Sequence, residues 1–453
     1  MFSKSRIKSL TVVLLFICAV IQTGMLWLDG SSGHNIFYYL TEMRYTDSSS
    51  TDKEESLKPS RITKGLGDGI FIRFYKESKL QQTADGIIKE AVLNPGEELV
   101  GDFLWGETLS GQCVVYEFDI AVPLSEYFSS LGMKKVWVPE GMTSFNDIVI
   151  ACSLGQTEQN RVYFVNTTEE SERAVMYTTE YSPRLSQVIS EDEGGMTCIS
   201  TALSGFSIFS DNFFVPQYSF DEYSFNSVTS EKNIDVSAAD KDYMAAKTKH
   251  YFNGYSNKKY SYDPSGTYTV SDNDTVVKCY PNGITEYFNY ESISEEQQSL
   301  SSAYKACLDF INKDTSAKTG YYLSDVKITG EGVVFGFDYY IDGMSVVISR
   351  EVKEKCGIEY AMEAVCSSNS VRKFKKYDYV FHSNEVNNVM PAIDFLTAVN
   401  FAMSFDGREN VKIDDIRLGY YEKEDKKNMI CWFVDISDER YIIDAETGNI
   451  VLD

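Results

Sequence analysis

Histidine is nearly missing from this chain of 453 residues. His34, His250 and His382 stand far apart and give no support to a histidine-built metal centre. No G-x-S-x-G, H-E-x-x-H or C-x-x-C pattern occurs, which removes the usual signatures of nucleophile-elbow hydrolases, zinc proteases and thiol redox centres. Basic residues are also short: 42 Lys and Arg stand against 67 Asp and Glu, a net charge of −25. A surface of that sign repels nucleic acid and anionic lipid headgroups, and argues against both as partners of the charged portion. Its plainer consequence is solubility.

One segment lacks charge altogether. Leu10 to Leu28 (LTVVLLFICAVIQTGMLWL) holds no ionisable acid or base, with Lys4, Arg6 and Lys8 before it and Asp29 closing it. Nineteen residues rising about 1.5 Å each span roughly 28 Å, enough for the ~30 Å hydrocarbon core of a bilayer. The basic flank places the N-terminus in the cytoplasm and exports the remainder. A signal peptide is the rival reading, but its apolar stretch is typically about 7–15 residues and ends at a small-x-small site. Met25-Leu26-Trp27-Leu28-Asp29 offers no such site. The expectation is a single uncleaved transmembrane anchor.

Without the three basic residues of the tail, about −28 of charge lies outside. Hydrophobic residues at 43% permit real cores, and 31 Tyr and 27 Phe favour sheet. Eight cysteines lie beyond the anchor, mostly inside apolar patterns such as Val149-Ile150-Ala151-Cys152 and Ile430-Cys431-Trp432-Phe433. Buried thiols explain them best. Outside the cell a Cys356–Cys366 disulfide is open to the chain, although spacing does not establish it.

The expected organisation is a cytoplasmic tail (1–9), the anchor (10–28), a polar tether (29–62) and three α+β domains at 63–216, 217–350 and 351–453. In the first, a strand at Gly69–Tyr75 precedes a helix from Lys79 to Leu93, with Leu80, Ala84, Ile87, Ile88, Ala91 and Val92 on one face. Further strands are predicted at Cys113–Ile120, Asp147–Ser153 and Arg161–Asn166, and a short helix at Leu124–Leu131.

The second half carries an internal repeat. Leu323–Ile328 matches Ile413–Leu418 at an offset of 90 residues, and Phe337–Ile341 matches Trp432–Ile436 after a five-residue length difference. A helix precedes each copy. The first opens with the capping box Ser294–Gln297 and presents Leu300, Ala303, Tyr304, Cys307 and Ile311; the second starts at Pro391 and presents Ile393, Leu396, Val399 and Met403. Hairpins at Thr275–Asn289, turning at Pro281-Asn282-Gly283, and at Glu359–Phe381 come before the helices. Each half is therefore expected to be a ββαβββ module, an antiparallel sheet with one helix on a face. Two such modules without a shared catalytic set suit recognition better than catalysis.

The strongest enzymatic reading is a penicillin-interacting serine fold. S-x-x-K (Ser256–Lys259), S-D-N (Ser271–Asn273) and K-T-G (Lys318–Gly320) occur in the required order. The serine lies in turn-and-strand sequence, however, where the chemistry needs a helix, and S-D-N follows too soon. A second S-D-N at Ser210–Asn212 shows how readily such triplets arise in this composition. Gly65-x-Gly67-x-Gly69 precedes a strand instead of linking strand to helix, so it is no dinucleotide loop. Asp272 and Asp274 fit a hairpin turn better than a calcium loop. No cofactor is called for.

More specific chemistry sits in the anchor. Thr11, Leu15, Cys18 and Gln22 share one helical face, and Ala19 and Thr23 add a small-x-x-x-small pair. Gln22 in hydrocarbon gains about 0.6–2 kcal/mol from an interhelical hydrogen bond, and small neighbours admit a second backbone. The alternative is that Gln22 reaches interfacial water.

Tyr251–Ser256, then Gly266-Thr267-Tyr268-Thr269-Val270, then Gly283–Asn289 form a run that resembles the middle domain of the YycH family. These are anchored accessory regulators of the WalK (YycG) sensor histidine kinase in low-GC Gram-positive bacteria. The terminus Tyr441–Ile450 is similar to the closing hairpin of that family, of the companion YycI family and of PepSY-type domains. Asn253-Gly254-Tyr255-Ser256 departs from the Asp-Pro-Ser run usual after the family's phenylalanine. The resemblance implies a non-enzymatic, single-pass cell-membrane protein with an extracellular ectodomain. It further implies a sensor histidine kinase and a YycI-like companion as partners, and a link to cell-wall homeostasis. An exported module that holds an envelope ligand or peptide is the alternative.

Overall fold

The last residues before position 63 already belong to the folded body. Leu57 is 3% exposed, and strand β1 (Arg61–Leu66) already begins at Arg61, because Ile62 supplies an apolar residue to the core. The computed structural model describes residues 57–451 except for 58, 75–78, 94–98, 132–141, 153–158, 168–172, 192–194, 210–211, 218–224, 239, 253–256, 291–299, 315–318, 368, 409–410, 424–426 and 438. The expected anchor at 10–28 and the capping box at Ser294–Gln297 lie outside the described residues. Among the described residues, no helix is long and apolar enough to cross a membrane.

The first domain follows as β2 (Phe71–Phe74), α1 (Lys79–Leu93), β3 (Leu99–Asp102), α2 (Trp105–Thr108), β4 (Gln112–Pro123), α3 (Leu124–Ser130), β5 (Ser144–Cys152), β6 (Gln159–Asn166), β7 (Arg173–Glu180), α4 (Pro183–Ser190), β8 (Met196–Ser200), α5 (Thr201–Ser204) and β9 (Phe214–Pro216). The strands form one antiparallel sheet in the order β3-β7-β6-β5-β4-β1-β2-β8-β9. Gly67 (φ 93°) and Gly69 (φ 82°) turn β1 into β2, a conformation that suits glycine. Cys113 to Phe118 are buried without interruption because the sheet is covered on both sides. Val114 and Tyr116 join the core under α1, while Cys113 and Val115 join Phe71, Phe103 and Trp105 opposite. Helix α1 buries Leu80, Ala84, Ile87, Ile88, Ala91 and Val92, as its 3.6-residue period requires.

The second half runs β10 (Phe225–Lys232), α6 (Lys241–Lys247), β11 (Lys259–Tyr262), β12 (Tyr268–Ser271), β13 (Thr275–Cys279), β14 (Ile284–Asn289), α7 (Leu300–Ile311), β15 (Gly320–Thr329), β16 (Gly332–Ile341), β17 (Met344–Ile348), α8 (Arg350–Cys356), β18 (Met362–Cys366), β19 (Val371–Tyr377), β20 (Tyr379–Val389), α9 (Phe395–Asp406), β21 (Asp415–Glu422), β22 (Lys427–Ile436), β23 (Glu439–Asp444) and β24 (Ile450–Val451). The repeat holds at a constant offset of 95 residues, with no length difference inside it. Leu300–Ile311 corresponds to Phe395–Asp406 and Gly332–Ile341 to Lys427–Ile436. Leu323 therefore matches Leu418, and each faces the equivalent aromatic across the ladder, Phe337 or Trp432. Even the two non-glycine residues with positive φ correspond, Asp342 (48°) and Ser437 (56°), both just after the long central strand of their copy.

The two copies are not separate antiparallel sheets. Among the described residues their fifteen strands form a single sheet, in which β17 pairs with β21 in parallel. The hairpin β18–β19, from beyond residue 350, lies between β14 and β16 of the first copy. In exchange β10, from before residue 350, fills the place between β20 and β22. Helix α7 packs on β16 together with the inserted strands, through Ala303, Tyr304, Cys307 and Leu308. Helix α9 begins at Phe395, not Pro391. Asp394 caps it by accepting from Thr397 N (2.8 Å), while Ala392 N is held by Ala445 O (2.7 Å) outside the helix. Its buried face is consequently Phe395, Ala398, Val399 and Ala402; Ile393, Leu396 and Met403 are half-buried.

The inserted hairpin buries Met362, Ala364, Val365, Cys366, Val371, Phe374 and Tyr377. Full burial of the larger among these contributes about 1.5–3 kcal/mol each, against a typical net stability of about 5–15 kcal/mol. A fragment of residues 217–350 alone should therefore show no cooperative thermal unfolding by circular dichroism, whereas 217–453 retains the exchanged strands. A folded 217–350 fragment would contradict this dependence.

Candidate functional site

Two polar centres lie at the joints of this fold. The first joins β4 of the first sheet to the repeats. On β4, Glu117 receives both carboxylate contacts of Arg73 Nη2 (3.0 Å each) and a hydrogen bond from Thr63 Oγ1 (3.2 Å). Two residues on, Asp119 meets Arg61 Nη2 at 3.0 Å, Ser60 Oγ at 2.9 Å and, from β21, Arg417 Nη1 at 3.7 Å. Arg417 also contacts Asp415 (3.3 Å), and Arg440 grips Asp435 with two bonds of 2.7 Å. Burial alone would raise the Asp119 pKa; Arg61, Arg417, Ser60 and Arg440 together outweigh it and hold the carboxyl below its ordinary value.

The second centre is a cavity of about 250 Å³ inside the first repeat. Tyr251, Phe310, Tyr321, Tyr339 and Phe374 wall it, and His250, Asp314, Thr319 and Lys376 bring polar chemistry to it. Lys376, 4% exposed, bonds to Asp314 (2.9 Å) and Asp378 (3.0 Å). Those two carboxylates outweigh the burial of Lys376 and keep its pKa above the usual value. His250 stands 4.0 Å from Asp314, and burial lowers its pKa in spite of that neighbour, which favours neutral imidazole. Tyr321 donates to Asn312 Oδ1 (2.8 Å). That pair also lines a second cavity of about 250 Å³, bounded by Ile62, Phe74 and Gln81 of the first domain.

None of these residues was singled out from sequence for the cavity. They come from α7, the positions just after α7 and just before β15, from β15, β16, β18, β19 and the turn after α6, and only the inserted hairpin assembles them. In sequence Lys376 is one of four basic residues in Arg372-Lys373-Phe374-Lys375-Lys376, and nothing there sets it apart. The anchor residues Thr11, Leu15, Cys18, Ala19, Gln22 and Thr23 lie outside the described residues, as do Ser256 and Lys318 of the serine-enzyme triplets. Lys259 opens strand β11, and Asp272 accepts from Asp274 N (3.1 Å) and Thr275 N (2.8 Å) in a hairpin turn. Among the described residues, no group of three His, Cys, Asp or Glu side chains could hold a metal. All eight described cysteines are buried and outside any disulfide among the described residues, and Cys366 contacts Cys307. Burial pushes the thiols of Cys113, Cys152, Cys198 and Cys279 up to about 12, which suppresses the nucleophilic thiolate.

Two measurements follow. Lys376→Met leaves Asp314 and Asp378 without their shared cation and should cost about 3–5 kcal/mol in urea unfolding. For Asp119, whose folded pKa is depressed, the stabilisation is present above the unfolded value near 3.9 and is lost as pH falls through the folded pKa. Wild type should thus exceed Asp119→Asn in stability at pH 7, with the gap closing below about pH 4. A gap that persists in acid would rule out the carboxylate's charge as its source.

No protein-family model matches the chain, and no curated protein does. Among solved structures, the chain is similar to the crystal structure of YycH from Bacillus subtilis, at 12% identity and a TM-score of 0.51, over 86% of this chain and 96% of that one. A second match, the Bacillus megaterium YpeB C-terminal domain, has 16% identity and a TM-score of 0.30, over 48% of this chain and 99% of that one. The described residues therefore carry a YycH-like fold.

Proposed function

We propose that this chain is a membrane-anchored, extracytoplasmic accessory protein of a sensor histidine kinase of the WalK/YycG type, acting without catalysis of its own. The observation that carries the reading is the YycH-like fold across 86% of the chain. The layout of basic tail, uncharged apolar run and large acidic remainder supports it. A YycI-like companion is the further expected partner, and cell-wall homeostasis the process served.

A partner shifts a kinase's signalling equilibrium only through different affinities for its two states. The anchor face supplies such a difference if Gln22 finds its hydrogen-bond partner in one arrangement of the kinase helices and not in the other. An exported binding module is the second reading, favoured by the aromatic-walled cavity of the first repeat.

Gln22→Leu removes the interhelical hydrogen bond and should weaken co-purification with the kinase from membranes by roughly three- to thirtyfold. Exchange of residues 10–28 for an unrelated transmembrane helix should alter signalling while leaving the ectodomain folded. Unchanged association and signalling in both variants would defeat the kinase reading and leave the binding module.

A further inference from the structure

Three features decide what the inner cavity of the first repeat can hold. Its walls are largely aromatic, with Tyr251 and Phe310 in ring contact and Phe310 also against Phe374. Its charges already serve one another. Lys376 bonds to both carboxylates, and Asp378 takes further hydrogen bonds from Thr285 Oγ1 and Asn233 Nδ2, each at 3.0 Å. A charged ligand would leave water to meet ions that are committed elsewhere, which is unfavourable. Finally, Thr319 is 9% exposed, and among the described residues neither its buried hydroxyl nor His250 Nε2 has a hydrogen-bond partner. Buried polar groups left in that condition carry a standing cost that an incoming hydrogen bond removes.

We propose that this cavity binds a small uncharged aromatic alcohol or phenol, with its ring among Tyr251, Phe310 and Phe374 and its hydroxyl at Thr319 and His250. The size is suitable: apolar cavities of about 150 Å³ already admit benzene, and this one offers about 250 Å³. Neutral imidazole at His250 accepts from the ligand hydroxyl or donates to it according to its tautomer, and Thr319 takes the complementary role. The assignment goes beyond the kinase reading and is independent of it, since it rests on the cavity alone.

The test uses the full chain with methyl-labelled methionine. Met362 lines the cavity and reports on it locally, its signal assigned by Met362→Leu. Benzyl alcohol should shift the Met362 resonance saturably. Toluene, of similar shape without the hydroxyl, should bind about fivefold more weakly, and benzylammonium and benzoate should leave the resonance in place. Thr319→Val, which only removes an unsatisfied hydroxyl, should retain the thermal stability of wild type and bind benzyl alcohol more weakly than wild type does, with toluene binding unchanged. The proposal is overturned if benzyl alcohol causes no saturable shift up to its solubility limit, if a charged analogue binds equally well, or if the valine variant binds benzyl alcohol as wild type does.

Discussion

The hairpin β18–β19 is the constraint from which most of the second half follows. Strands β14 and β16 would each present a row of unpaired backbone groups without it, and α7 would lose two of the strands on which it packs. Because that hairpin also brings Phe374 and Lys376, the same insertion closes the sheet and furnishes the inner cavity. Structure and candidate site therefore share one determinant. The junction at Asp119 plays the corresponding part between domains, where β4 meets β15 and β21 across charges that burial leaves ionised.

Local patterns in the sequence carried the local elements. The apolar period of Lys79–Leu93 predicted both the limits and the buried face of α1, and Pro281-Asn282-Gly283 marked the β13–β14 turn, where Gly283 has φ 81°. The repeat was visible too, yet its alignment slipped by five residues in β21. Ile413–Leu418 mimics Leu323–Ile328 in composition, while cross-strand pairing with Trp432 is what places Leu418 opposite its proper partner. At α9, proline chemistry competed with aspartate capping, and Asp394 prevailed because the backbone around Pro391 is tied to Ala445.

What could not be read was the exchange of strands. Pairing partners of β10, β18 and β19 lie up to about 200 positions away, and no property of a strand's own residues names a partner at that distance. The cavity was hidden for the same reason. His250, Asp314 and Lys376 are individually ordinary surface-type residues until the sheet collects them. The family resemblance drawn from motifs and the fold similarity to YycH agree on architecture, and both leave chemistry to the side chains themselves.

The constant 95-residue spacing has a consequence for how such a molecule can be assembled. One unit on its own would have bare strands awaiting a hairpin from another, and its completion would depend on meeting a second polypeptide. Tandem linkage replaces that bimolecular encounter by closure within one chain, whose entropic cost grows only with the logarithm of the intervening length. Folding of the second half is thereby freed from protein concentration, and the duplicated halves become mutually obligatory.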